Sequence, residues 1–404
     1  MEVSIVDLLI KLDSLILRRG QLEANGLFVG LGGSSIYFSS RYIQTKNEVH
    51  YQNSIDFLDR ILDKTNQEFV PDYLWLTNPC LTPCWLIDQY IKSGLLDEDE
   101  KTNSKTIEDS ILESFTDQEL KNNHHDLFCG FIGKAIFLLE NDAENNIQCI
   151  TKIVDACESN AIKDSNGIYW NTPYPFYPSA RFEKTINFGI PQGCLGIILF
   201  LIKCSESLKM RSRLQSLLRN SIEWILNKLD EETNQLLHVY GNEGGGGRLA
   251  WCYGDLSLSF VLLRYHEVFD SPKSLKKAHE LITLASSKTT NEAGIPYYSK
   301  YDFYDIGLCH GTNSIAYMYH NMAQITKDNN LRLLANKWLS ITAENLTKYL
   351  FHFETIVETE DKDINHSMGF LEGLSGVGLV LISFLEPKSN SWDKLLLLDR
   401  PGRE

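Results

Sequence analysis

One short pattern, a glycine-rich turn running straight into an apolar stretch, returns along the whole of this 404-residue chain. It reads GLGGSSIYF from Gly30, CGFIGKAIF from Cys129, GCLGIILF from Gly193, GDLSLSF from Gly254, GTNSIAY from Gly311 and GLSGVGLVL from Gly373, and an eroded copy, PCLTPCWLI, starts at Pro79. Seven starts near positions 30, 79, 130, 193, 254, 311 and 373 give an interval of about 50 to 60 residues, the signature of a repeat architecture. Between the copies, segments such as 210–229 and 331–350 carry apolar residues at helical spacing, and no sustained strand-type alternation is visible. Each unit therefore reads as a helical hairpin, one helix amphipathic and the other more apolar. The fold predicted is all-α, seven hairpins stacked as an open solenoid or closed into an α/α toroid, one domain over residues 1–404. Closure would put the apolar helices inside and their glycine-rich N-termini around one end.

The ring arrangement gives two other motifs their meaning. Trp251-Cys252-Tyr253-Gly254 and Cys309-His310-Gly311 each stand just before a predicted inner helix, one repeat apart, so a ring would make them neighbours. Helix N-termini carry partial positive charge and favour thiolates. Cys252, Cys309 and His310 offer two thiolates and an imidazole, a soft donor set that selects zinc over magnesium or calcium. Neither motif supplies a fourth ligand, and three protein ligands with one open position is the pattern of a catalytic zinc.

Composition narrows the function classes. A formal charge of −15 argues against nucleic acid or an anionic membrane surface as partner. No apolar run is long enough to span a bilayer, and the first residues, MEVSIVDLLIKLDSLILRRG, interleave charges at helical spacing, unlike a secretory signal. A cytoplasmic protein with reduced thiols is expected, and in that setting paired Cys and His mean metal more often than disulfide. Of the nine cysteines, Cys129, Cys149, Cys157, Cys194 and Cys204 read as packing on helical apolar faces, and Cys80 and Cys84 likewise. The run Gly244 to Gly247 lacks a following Lys-Ser/Thr and is no phosphate loop; a flexible loop beside the metal fits it better.

These residues resemble the lanthionine synthetase C-like cyclases of lantibiotic biosynthesis. The resemblance covers nearly the whole chain and is most specific at RLAWCYG (Arg248 to Gly254), GLCHG (Gly307 to Gly311) and GFLEGLSGVG (Gly369 to Gly378). Cys84-Trp85, followed by Gly94-Leu95-Leu96-Asp97, is similar to the family's second hairpin. The resemblance implies an α/α toroid around one catalytic zinc held by Cys252, Cys309 and His310. It implies an active-site arginine at Arg248, a tyrosine at Tyr253 and an aspartate at Asp126. It also implies a dehydrated precursor peptide as substrate, with a separate dehydratase and a transporter as partners, and neither nucleic acid nor a transmembrane segment. One position departs: where the family usually has a histidine before the repeat glycine, this chain has Gln192.

The implied reaction adds a peptide cysteine to a dehydroalanine or dehydrobutyrine. A free thiol, with a pKa of about 8.5, is mostly protonated at neutral pH, and zinc coordination removes that proton. The enolate formed on addition must then be protonated. Gln192 cannot act as a general acid, although it can donate a hydrogen bond. Tyr253, His125 beside Asp126, or a water beside the zinc is then expected to substitute, with Arg248 stabilising the enolate or positioning the peptide and Asp126 orienting a proton-transfer partner. Bland alternatives accompany each role: Asp126 as a helix cap, Arg248 as a structural ion-pair partner, the cysteines as core residues. An alternative function is a zinc-bearing but catalytically weak protein that binds modified peptide or scaffolds a biosynthetic complex. A glycosidase would instead need a pair of carboxylates, and an enzyme adding another thiol would use the same zinc chemistry.

Overall fold

Backbone geometry at the repeat glycines organises the molecule. The computed structural model describes residues 4–20, 24, 26–68, 81–101, 120, 124–172, 186–238, 246–358, 364, 367–386 and 391–399. Six of the turns recognised in the sequence close with the same hydrogen bond, from the first helical N–H back to the carbonyl seven residues earlier. The pairs are Leu31 to Ala24, Phe131 to His124, Cys194 to Asn187, Asp255 to Arg248, Thr312 to Asp305 and Leu374 to Ser367, at 2.8–3.2 Å. The glycine before each helix is its N-cap and has no side chain to offer as a cap. Its role is steric: the returning strand occupies the space of a Cβ. A Cβ on Gly254 would stand 1.9 Å from the Arg248 carbonyl oxygen, and φ there is +103°.

Thirteen helices are described. Inner helices α2 (Leu31–Thr45), α4 (Leu81–Lys92), α5 (Phe131–Asp142), α7 (Cys194–Ser207), α9 (Asp255–Phe269), α11 (Thr312–Thr326) and α13 (Leu374–Leu385) each pack on the next, and α13 packs back on α2, so the ring closes. They are buried on nearly every side, and the most apolar of them, α13, reads LSGVGLVLISFL and is buried from Leu374 to Ser383. The amphipathic helices α3 (Glu48–Glu68), α6 (Ile147–Ser159), α8 (Arg211–Leu226), α10 (Pro272–Ser286) and α12 (Asn329–Glu358) each cover the inner helix before them. Of the segments predicted helical, 210–229 forms α8 (Arg211–Leu226) followed by turn residues, and 331–350 lies within α12. No helix among the described residues is long and apolar enough to cross a membrane.

Three features depart from the sequence reading. The last inner helix takes its outer partner from the other end of the chain: α1 (Ile5–Gly20) packs on α13, which locks the two ends of the ring together. Two short antiparallel hairpins interrupt the helices, β1 (Ile162–Asp164) with β2 (Gly167–Tyr169), and β3 (Tyr297–Tyr298) with β4 (Phe303–Tyr304); strands of two or three residues are too short to show alternation. Cys129 stands in a turn, half-buried, rather than on a helix; Cys84, Cys157, Cys194 and Cys204 are buried as expected. Cys80 and the turn before α4 lie outside the described residues, as does the segment following Lys101.

Residues 391–399 run inside the ring and fill it below the turns. Trp392, Leu395, Leu396 and Leu398 are at most 1% exposed. Asp393 accepts a hydrogen bond from the Tyr317 hydroxyl at 2.8 Å, and Trp251 donates its indole N–H to the Leu396 carbonyl at 3.0 Å. A buried cluster ties this segment to two inner helices: Glu140 pairs with Lys203 at 2.6 Å and with Lys394 at 2.8 Å, and Lys203 also pairs with Asp399. Such a network is costly to break at one member, because an unpaired buried charge remains.

Gly254→Ala is expected to lower stability by about 3 kcal/mol, combining positive-φ strain with displacement of the Arg248 carbonyl. Gly94 also has positive φ, +70°, but nothing lies within 4 Å of its would-be Cβ, so Gly94→Ala should cost about 1 kcal/mol. Urea midpoints of the two variants measure the difference, and equal midpoints would contradict the steric argument.

Candidate metal centre and its surroundings

Because every turn folds alike, positions counted from the glycine become equivalent around the ring. Two residues before the glycine stand Phe28, Phe128, Pro191, Cys252, Cys309 and Leu371. A belt of backbone hydrogen bonds joins each turn to the next at this level. Leu127 N–H donates to Pro191 O (2.7 Å), Ile190 to Cys252 O (3.0 Å), Cys252 to Cys309 O (3.4 Å), Cys309 to Leu371 O (3.0 Å) and Leu371 to Phe28 O (2.9 Å). The two turns that carry cysteine at this position are adjacent, so their sulfurs meet.

The ligand atoms of Cys252, Cys309 and His310 all lie within 4.8 Å of one another. The sulfurs are buried, while the His310 side chain is about a quarter exposed, which leaves an approach from the mouth of the ring. Ser314, on α11, braces the pair: its hydroxyl donates to the Cys309 carbonyl at 3.2 Å and accepts from the Trp251 N–H at 2.8 Å. At the same level of the ring Phe128 contacts Trp251 and Phe28, with ring centroids 6.1 and 4.9 Å apart.

Without metal the sulfur pair holds its protons unequally. Cys252 is drawn down to about 5, chiefly because the Cys309 thiol hydrogen-bonds to it; burial opposes this, and His310 and Arg248 assist. Cys309 is pushed well up in turn, by that same bond and by burial. Burial works against the charged form of His310, but its hydrogen bond to Cys252 and the nearby Asp305 raise it on balance. Glu372 stands 3.9 Å from His310 Nδ1, one repeat on at the equivalent position. A negative sulfur facing a basic imidazole is the charge arrangement that a divalent cation replaces.

Of the other predicted residues, Arg248 and Tyr253 stand in the turn of Cys252, Gln192 in the turn bonded to it, and Asp126 and His125 in the turn beyond that. Arg248 opens the turn of Cys252; its stem lies against Gly294, and its Nε is buried with no hydrogen-bond partner. Tyr253 precedes its repeat glycine by one, as Gln192 does in the neighbouring turn, and the two meet: the Tyr253 hydroxyl donates to Gln192 Oε1 at 3.2 Å and accepts from Asn187 Nδ2 at 2.8 Å. Its ring rests on Gly189, and burial pushes its pKa well above the usual phenol range. Asp126 is 1% exposed. One carboxylate oxygen accepts the N–H groups of Phe128 (2.6 Å) and Cys129 (2.9 Å), and the other is buried without a partner. Asp126 therefore braces its own turn rather than capping the helix, and burial raises its pKa to about 6 against the pull of the two N–H groups. His125 is buried beside it, 2% exposed.

Sequence reading missed His238. It belongs to no repeat turn, yet its carbonyl accepts the Phe188 N–H at 3.0 Å, and its ring lies 5.1 Å from that of Tyr253. Its Nε2 is buried without a partner. Buried polar atoms are rarely left unpaired; Asp126 Oδ2, Arg248 Nε and His238 Nε2 are among those that are. No periodic signal could have singled out His238.

Comparison with known proteins agrees with this geometry. A family model described as lanthionine synthetase C-like protein matches residues 87–397. The chain belongs to the lanthionine synthetase C-like family. Among solved structures, one titled nisin cyclase superposes with a TM-score of 0.69 over 96% of each chain, at 18% sequence identity; the shared feature is the α/α toroid. No curated protein matches the chain. All the residues singled out, from Asp126 to His310, fall inside the stretch that the family model matches.

Asp126 generates a pH prediction. Its raised pKa means that the folded protein holds this proton more tightly than the unfolded chain does, so ionisation between about pH 4 and 6 subtracts stability. In metal-free protein, Asp126→Asn keeps the acceptor oxygen and should add up to about 3 kcal/mol at pH 8. At pH 4 the gain should vanish. Denaturation at both pH values checks this, and a gain independent of pH would contradict it.

Proposed function

We propose that this chain is a zinc-dependent lanthipeptide cyclase. It adds cysteine thiols of a dehydrated precursor peptide to dehydroalanine or dehydrobutyrine, closing lanthionine or methyllanthionine thioether rings. The observation that carries this reading is the meeting of two cysteines and a histidine within 4.8 Å at the open end of a lanthionine synthetase C-like toroid. Two sulfurs and one imidazole suit zinc, and three protein ligands leave a position for a peptide sulfur. Cys252, Cys309 and His310 would hold the ion; when bound, zinc supplies the charge that keeps a peptide thiol ionised at neutral pH.

The surrounding residues fit the rest of the chemistry. Arg248 brings an unpaired buried N–H and a permanent positive charge to where an enolate oxygen would develop, the arrangement that stabilises oxyanions. Tyr253 is held by Asn187 and Gln192 with its hydroxyl fixed at the mouth. Asp126 shapes the neighbouring turn and offers one free carboxylate oxygen. The dehydro residues must be made beforehand by loss of water from Ser or Thr, which makes a separate dehydratase the partner upstream and an exporter the partner downstream, in the cytoplasm.

Gln192 favours a second reading, a zinc-bearing protein that binds modified peptide or scaffolds a complex without turning it over. Metal content and thiol loss separate the two. Purified protein should carry one zinc per chain; Cys309→Ala should abolish it, and Ser314→Ala should weaken metal affinity about 10-fold through the lost brace. Incubated with the dehydrated precursor peptide encoded beside it, the wild type should consume free thiol and Cys309→Ala should not. Thiol loss by Gln192→His alone would favour the scaffold reading.

A further inference from the structure

The reaction needs a group that moves one proton, and the position where relatives are expected to carry a histidine holds Gln192, which cannot. The ring of His238 lies against that of Tyr253, whose hydroxyl donates to Gln192. Residues 236–238 thread between two turns of the ring: Leu236 N–H donates to Asp255 Oδ1 at 3.0 Å, Gly247 N–H to Leu236 O at 3.3 Å, and Phe188 N–H to His238 O at 3.0 Å. These bonds fix the backbone from both sides and set the His238 ring 5.1 Å from Tyr253, tilted 46°. Nε2 is buried and unpaired, so the nitrogen that could exchange a proton is not engaged by the protein.

We propose that His238 is the proton-transfer residue of this chain, replacing the histidine absent at Gln192. This rests on the cyclase reading. The S–H bond of the peptide cysteine breaks, and its proton goes to His238. Sulfur bonds to the β-carbon, and the π pair of the dehydro residue moves to its carbonyl as an enolate. His238 then delivers the proton to the α-carbon as the carbonyl re-forms. Nothing is oxidised or reduced, and no proton is gained or lost overall.

The charges around His238 suit this order. Tyr253 faces its ring and Arg248 is the cation that acts on it; Asp255 and Lys288, 3.4 Å apart, stand beyond the Leu236–Gly247 pair. Burial and then Arg248 lower its basicity, which favours the neutral imidazole as the form that accepts and makes a proton placed on it easier to give up than from an ordinary imidazole.

His238→Phe keeps the ring packing and removes the nitrogens. That variant should retain one zinc per chain and the wild-type melting temperature, yet consume peptide thiol about 100-fold more slowly. Adding Gln192→His to it should restore part of the rate. Independently of activity, proton NMR of the metal-free protein should show His238 titrating below its ordinary value and moving up in Arg248→Met. If the wild type cyclises and His238→Phe stays within a few-fold of it, the role of His238 is wrong and the cyclase reading stands. An imidazole already charged at neutral pH would also overturn the assignment. If neither the wild type nor Gln192→His consumes thiol, both readings fall.

Discussion

The hydrogen bond that folds each turn back onto the start of its inner helix is the constraint from which the site follows. It spans seven residues in six described turns, and it demands glycine because the returning backbone takes the place of a Cβ. Equal turns make equal positions. With the turns stitched side by side by backbone bonds, the residue two before one glycine lies next to the residue two before the following one. Cysteine at that position in two consecutive turns is therefore enough to bring Cys252 and Cys309 together. The same logic one residue later sets Tyr253 against Gln192 and His310 against Glu372.

Rigidity below the turns supports that precision. The ring of seven apolar helices would leave an empty axis, and an empty axis forfeits packing on every inner face. Residues 391–399 fill it, and Trp251, the neighbour of a ligand cysteine, is anchored to them by its indole N–H. The ion cluster of Glu140, Lys203, Lys394 and Asp399 then fixes the segment to the inner helices. The turns that carry Cys252, Cys309 and His310, a group that could hold a metal, are thus held by packing from residues that never approach them.

Legibility followed the repeat. Six described turns, the seven inner helices and the amphipathic outer helices were readable from glycine spacing and helical periodicity, and the two motifs carrying Cys252, Cys309 and His310 could be expected to meet because they stand one repeat apart. The positions that obeyed no period were harder. The carboxylate of Asp126 braces a turn through Phe128 and Cys129, which no spacing reveals. Cys129 was placed on a helix because its copy was aligned from its own position rather than from Gly130.

The sequence by itself determined the number of units, the helical class and the chemistry of the cysteines and histidine, since these are local properties of residue type and spacing. Only the tertiary structure decided that the ring closes, that α1 from the beginning of the chain covers α13 near its end, and that residues 391–399 plug the axis. It also decided that His238, lying between repeats, reaches Tyr253. Those outcomes depend on which surfaces meet once the inner helices and the outer helices described are in place. Contact between segments hundreds of residues apart is set by ring closure and packing, which leave no periodic trace in the chain.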